Sequence, residues 1–274
     1  MTHFCVSVDV EEDLPGIVAS GTLGIDTGIP ALLELLGDLG LSADFFFLAS
    51  VARMRPELVR QVAREGHEIG NHGTDHDFLC SKPAARQRND IEESTQSLAA
   101  VLGKRPSMFR APGFSANSTT LALLDELGYA IDSSVLPGRV GRRFRFLKAY
   151  DHRGAPQEPY HPAAIGSARR LQMVEIPVTA NPLRPGAPLG LGALNHYGES
   201  ELLNVVKSSA LRTIVFLIHP WELIDAARAY PMLPTGYAKA CSPSVGPLRR
   251  FLSATREIME ISTLREVAKS FDAE

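Results

Sequence analysis

The stretch Phe4-Cys5-Val6-Ser7-Val8-Asp9-Val10-Glu11-Glu12-Asp13 decides the fold. Its apolar, β-branched start reads as a buried strand, and four acids follow at the carboxyl end of that strand. Downstream, short apolar runs alternate with segments of helical period. Strands are expected at 4–10, 44–48, 108–110, 130–132, 173–178 and 213–218. Helices are expected at 30–39, 56–64, 84–102, 117–127, 244–258 and 264–271, with Asn117 and Ser118 as a cap and Gly128 as a stop. That alternation predicts an α/β protein with a parallel sheet or barrel and helices outside. A chain of 274 residues, 45% hydrophobic and 22% charged, suits one domain spanning 1–274.

A net charge of −3 gives no reason to expect nucleic acid. Cys5, Cys80 and Cys241 are too few and too scattered for a disulfide framework. The early acids leave no room for a signal peptide, and the apolar run 213–218 is far too short for a transmembrane segment, so a cytoplasmic protein is expected. Residues 139–170 break the alternation. Arg139, Arg142, Arg143, Arg145, Lys148, Arg153, Arg169 and Arg170 stand there against Asp151 and Glu158. The segment reads as a basic loop insertion, either a solvated surface or a rim that steers an anionic sugar or phosphate-bearing carrier.

The chemistry gathers at strand ends. In the first run, alternation sends Asp9 and Glu11 to one face, where one acid can hold a metal and the other can take a proton from water. His72 and His76 lie just after an expected strand, spaced to bind a divalent ion that keeps open positions. His67 is expected to meet carbonyls at a helix terminus. Arg110 ends another strand, and its fork suits orienting an ionised carboxylate. His219 ends the strand at 213–218, beside the only tryptophan, Trp221, and can protonate a leaving amine.

Taken together, these motifs resemble the polysaccharide deacetylase family, also called the NodB homology group or carbohydrate esterase family 4. Five motifs fall in the family's order. The first is Ser7-Val8-Asp9-Val10-Glu11-Glu12-Asp13, similar to the subgroup with Asp-Val-Glu-Asp; His72 and His76 form the second, and Arg110, Pro112 and Phe114 the third. Asp132-Ser133-Ser134 stands for the fourth and His219-Pro220-Trp221-Glu222 for the fifth. The resemblance implies a distorted (β/α) barrel with about seven strands. Asp9 would be the catalytic base, oriented by Arg110, and His219 the catalytic acid. One divalent metal, zinc first with iron, cobalt or nickel as alternatives, would sit on His72, His76 and an acid. Glu11 is favoured for that acid over Glu12 and Asp13 by the same-face argument.

Departures accompany the match. Gly73 stands where the family often has a hydroxyl residue. Phe114 stands where tyrosine is frequent, with its backbone N–H expected in the oxyanion hole. The usual Asp-Trp of the fourth motif is missing, so Asp132, with Glu175 second, is the carboxylate expected to support His219. Pro112, Phe114, Trp221 and Glu175 complete the expected substrate and oxyanion side. The implied activity is removal of an N-acyl group, foremost N-acetyl, from an amino sugar in bacterial surface polysaccharide biosynthesis (O-antigen, capsule or exopolysaccharide). Nucleotide-linked or lipid-linked precursors are the candidate substrates. Alternatives are a deformylase on a formamido sugar, an amidohydrolase on a cyclic ureide or imide, and a metal- or sugar-binding module without turnover.

Overall fold

A computed structural model describes residues 2–19, 21–143, 147–166 and 168–273. Its strands are β1 (His3–Val10), β2 (Asp44–Phe47), β3 (Glu68–Asn71), β4 (Met108–Phe109), β5 (Ile131–Asp132), β6 (Val140–Arg143), β7 (Leu147–Asp151), β8 (Val174–Glu175), β9 (Thr213–Ile218) and β10 (Glu260–Ile261). Eight run in parallel in one sheet, seven of them in the order β9-β1-β2-β3-β4-β5-β8, with β10 also paired to β1. They form the expected α/β half-barrel. One edge of β1 takes β9 along His3 to Val8, while its other partners divide its length, β10 at His3 and Phe4 and β2 from Ser7 to Val10. Between β8 and β9 closure is irregular, with Val215 N–H bonded to Thr179 Oγ1 at 2.8 Å and Leu217 N–H to Leu189 O at 3.0 Å.

Alternation along β1 sorts side chains between two cores. Phe4, Val6, Val8 and Val10 face outward into a layer with Leu32, Leu36, Val51, Val59 and Leu252 from the surrounding helices. Cys5 packs inward with Phe46, Met108, Val215 and Leu217, and the helix Leu264–Asp272 adds Leu264, Val267 and Ala268 to that inner cluster. Ser7, Asp9 and Glu11 share the parity of Cys5. The register of the first strand thus puts its acids on the concave side, because every shift by one residue would send them into the helical layer.

Some expectations need correction. The strand expected over 173–178 is only two residues long as β8, since Pro177 cannot donate to a ladder, although Ile176 and Val178 stay buried. The basic segment is not wholly loop. β6 and β7 pair antiparallel, and Tyr150 on β7 donates from its hydroxyl to Gly113 O, which ties the hairpin to the site. Arg145 lies outside the described residues. His67 accepts a hydrogen bond from Ala43 N–H at 3.3 Å instead of meeting helix carbonyls. Helices at Ala49–Met54, Leu191–Tyr197, Glu199–Ser208 and Thr235–Ala240 were not expected from periodicity.

Candidate active site

Asp9 and Glu11 leave the end of β1, His72 follows β3, Arg110 follows β4 and His219 follows β9. All sit at carboxyl ends of adjacent parallel strands, where the crevice of such a sheet opens. Gly73 between the two histidines has φ +89°, a conformation that a side-chain-bearing residue rarely adopts, so the turn there calls for glycine. Asn71 braces the same turn. Its Oδ1 accepts from Gly73 N–H at 2.8 Å, and its Nδ2 donates to Ser94 Oγ and Tyr129 Oη.

Glu11 Oε2 lies 3.0 Å from His76 Nε2 and 3.5 Å from His72 Nε2, and the three ligand atoms fall within 4.8 Å of one another. Burial alone would push the Glu11 carboxyl up, but His76, with His72 and His219, holds it well below the usual carboxylate range. His72 Nδ1 bonds to Arg110 O at 2.8 Å. A carbonyl can only accept, so Nδ1 carries the proton and the Nε2 lone pair turns toward Glu11. His72 Nε2 and Glu11 Oε2 are both buried without a hydrogen-bond partner among the described residues. Two nitrogen donors and a carboxylate aimed at one point suit a divalent ion with positions left open. Glu12 is only half-buried, and Asp13 is occupied by Gly24 N–H at 2.9 Å and by the Tyr230 hydroxyl.

Beside this cluster, the fully buried Arg110 donates from Nη1 to Asp9 Oδ1 at 2.7 Å and to Ser7 Oγ at 3.1 Å. Its guanidinium carbon lies 4.3 Å from the centroid of the Phe46 ring. Donors on the guanidinium edge and an aromatic face below fix the fork, so Asp9 is held in one orientation. Asp9 Oδ2 points the other way, 3.8 Å from His72 Nε2.

His219 approaches from the opposite flank, with Nε2 3.7 Å from Glu11 Oε1. Its ring stacks on Trp221 at 4.6 Å between centroids, and Trp221 Nε1 donates to Glu11 Oε1 at 3.3 Å. Trp221 therefore holds the Glu11 carboxylate and packs the histidine. The carboxylate beside His219 is Glu222, neither Asp132 nor Glu175. Glu222 Oε2 accepts the His219 backbone N–H at 2.9 Å and lies 3.6 Å from Nδ1. Burial would push the imidazole down, yet Glu222, Glu11 and Asp9 outweigh it and raise its pKa to about 9. His219 and His76 keep 18% and 28% of their side chains exposed against 1% for His72, so the site opens between them.

Asp132 and Glu175 lie elsewhere, paired across β5 and β8 and fully buried. The expected oxyanion donor is also corrected. Phe114 N–H already bonds to Ala111 O at 3.0 Å. Gly113 lies against the cluster instead, its missing Cβ position 3.8 Å from His76 Cε1. Pro112 precedes it and packs against Gly73. Local spacing carried a signal for Glu222, since three residues across a helical turn bring it beneath His219. Asn71 and Gly113 carried none.

Residues 20–131 match the model of the polysaccharide deacetylase family, and the resemblance seen in the motifs is borne out. A peptidoglycan-N-acetylglucosamine deacetylase of Bacillus cereus is 34% identical over 103 residues, 38% of this chain and 48% of that protein. The chain spans less than half the length of this and the next curated relatives it matches. A solved putative polysaccharide deacetylase from Mycobacterium smegmatis superposes with TM-score 0.66 at 21% identity, over 99% of this chain and 90% of that one. An allantoinase structure superposes with TM-score 0.67 at 15% identity, again over 99% and 90%. These two share the fold. No helix among the described residues is long and apolar enough to cross a membrane.

Proposed function

We propose that this polysaccharide-deacetylase relative, read as one catalytic domain over 1–274, is a metal-dependent hydrolase that removes an N-acyl group, foremost N-acetyl, from an amino sugar. The observation that carries this reading is the opposition of Asp9, clamped by Arg110, and His219, backed by Glu222, across the Glu11–His72–His76 cluster. A divalent ion held by those three residues, zinc first with iron, cobalt or nickel as alternatives, would polarise the acyl carbonyl and lower the pKa of water.

The chain's own groups do the rest. Asp9 takes a proton from the attacking water through Oδ2, the oxygen that Arg110 leaves free. As the water oxygen bonds to the acyl carbon, charge grows on the carbonyl oxygen, and the backbone N–H of Gly113, the residue beside His76, would receive it. His219, kept protonated by Glu222, delivers its proton to the amine nitrogen as the C–N bond breaks, so acetate and a free amino sugar leave.

The names of the curated relatives favour a glycan substrate, since peptidoglycan and chitin deacetylases are among them. The finer reading is synthesis of a bacterial surface polysaccharide in the cytoplasm on a nucleotide-linked or lipid-linked precursor, with the exposed side chains of Arg142, Lys148 and Arg153 on and just after the β6–β7 hairpin as the phosphate-facing rim. A second reading, hydrolysis of a cyclic ureide or imide, is favoured by the allantoinase superposition alone.

Metal analysis of the wild type beside a His72→Ala, His76→Ala double variant tests the site. About one equivalent of a divalent transition metal, lost in the variant, is expected of a three-ligand centre. Amine release is then assayed on N-acetylated sugar nucleotides and glycan oligomers, and ring opening to a carboxylate on allantoin. Failure to bind zinc, cobalt, nickel or ferrous iron on reconstitution would overturn the reading. Turnover of allantoin in place of every sugar would transfer it to the second.

A further inference from the structure

Asp132 on β5 and Glu175 on β8 stand directly opposite each other in a parallel register, both at 0% exposure. Side chains at such positions lie on one face within contact distance. Carboxylates only accept, so two of them buried opposite each other can bond only if one carries a proton. The other oxygens are already engaged. Asp132 Oδ1 accepts from Ser134 Oγ at 2.6 Å and Glu175 Oε1 from Val135 N–H at 3.0 Å, which leaves Asp132 Oδ2 and Glu175 Oε2 buried with no other donor among the described residues.

What the pair fastens is the segment between its bonds. Ser134 Oγ accepts from Ala111 N–H at 2.8 Å, which anchors the loop that carries Pro112 and Gly113. Ser133 grips the guanidinium of Arg110 twice, through its carbonyl to Nε at 2.9 Å and its hydroxyl to Nη2 at 2.9 Å. Ser133 Oγ in turn donates to Ile176 O at 2.7 Å, the residue after Glu175. One clasp therefore sets both the fork that holds Asp9 and the loop that carries Gly113.

We propose that Asp132 and Glu175 share one proton through Oδ2 and Oε2 and act as positioning residues that lock Arg110 and the Ala111–Gly113 loop for the reaction at Asp9. The charged and titratable groups that face them are Arg110, on the site side, and Tyr160, whose backbone pairs with Glu175. Burial pushes both carboxyls up, in accord with a retained proton. A dianion in this place would compete with Asp9 for the single guanidinium. The monoanion leaves the fork to Asp9.

The reaction arm of the test rests on the N-deacylase reading, whereas its spectroscopic arm does not. Glu175→Gln keeps an acceptor for Val135 N–H and supplies its own N–H to Asp132, so kcat should stay within about threefold of wild type. Glu175→Ala cuts the clasp and should lower kcat at least about tenfold with KM nearly unchanged, since substrate binding is not touched. An infrared difference spectrum of wild type minus Glu175→Gln at neutral pH should show one protonated-carboxyl C=O stretch lost, with Asp132→Asn giving the same loss. Absence of that band in either difference spectrum overturns the shared proton, whatever the substrate. Unchanged kcat in a folded Glu175→Ala, or a Glu175→Gln as impaired as the alanine variant, overturns the positioning role. If wild type turns over no acylated sugar, the N-deacylase reading fails and the infrared result alone decides the pair.

Discussion

Two pairs of buried acids flank Arg110, and Glu11 of one is pushed the opposite way from both acids of the other. On the mouth side, Asp9 and Glu11 face a guanidinium and three imidazoles, and Glu11 is held far down the carboxylate range. Further along the sheet, in the row of Phe109 and not of Asp9, Asp132 and Glu175 face mainly each other, with serine hydroxyls and amides as partners, and both are pushed up. Burial is nearly the same in both pairs. Partners decide the difference: cationic and imidazole neighbours make an acid a ligand or a base, while a second acid makes it a proton-holding strut.

Breaking the mouth pair should have the largest effect. Asp9→Asn keeps the shape and the bond to Arg110 but removes the proton acceptor, and kcat/KM should fall about 10³-fold with metal content unchanged. Steady-state kinetics and metal analysis on one preparation check this; full activity would show that the base lies elsewhere. A milder perturbation tests the Glu11 side. Trp221→Phe preserves the stack on His219 and removes the 3.3 Å bond to Glu11, so metal affinity measured by chelator competition should weaken about tenfold. Unaltered affinity would show that the indole N–H does not hold the ligand in place.

The smallest effect on turnover is expected at Asp44, a lone buried acid at the far end of β2 that extends the comparison. It accepts Leu264 N–H at 2.9 Å, no cation among the described residues bonds to it, and burial pushes its carboxyl up to about 8. A carboxyl raised in the fold contributes its full stability below the unfolded value near 4. Above that the unfolded chain releases its proton while the fold keeps it, so stability falls as pH rises toward about 8, by at most about 1.4 kcal/mol per unit. Asp44→Asn should flatten denaturation midpoints between pH 5 and 8, roughly the window of that linkage, and leave kcat alone. A slope identical to wild type would count against a protonated Asp44.

Much of this could be read from the chain because parallel strands turn sequence parity into geometry. The period of two in β1 put Asp9 and Glu11 on one face, and strand ends collected His72, Arg110 and His219. What escaped was set by contacts between strands distant in sequence. Asp132 was expected beneath His219, but β5 pairs with β8 on the far side of Arg110, and a turn of helix brings Glu222 there instead. Phe114 was expected to offer its amide, yet the tight turn at 112–114 consumes that N–H, and Gly113 lies against the cluster instead. Basic composition hid the β6–β7 hairpin, whose anchoring depends on Tyr150 reaching Gly113 O.

Trp221, the sole tryptophan of the chain, lies in the site with its ring stacked on His219 and its indole N–H bonded to Glu11. Intrinsic fluorescence excited at the indole therefore comes from one place. Protonation of the stacked imidazole, arrival of an ion at Glu11 and entry of a substrate each alter the immediate surroundings of the same chromophore. The molecule carries its own optical reporter, and stopped-flow emission on the unlabelled protein can follow metal loading and substrate binding as separate events.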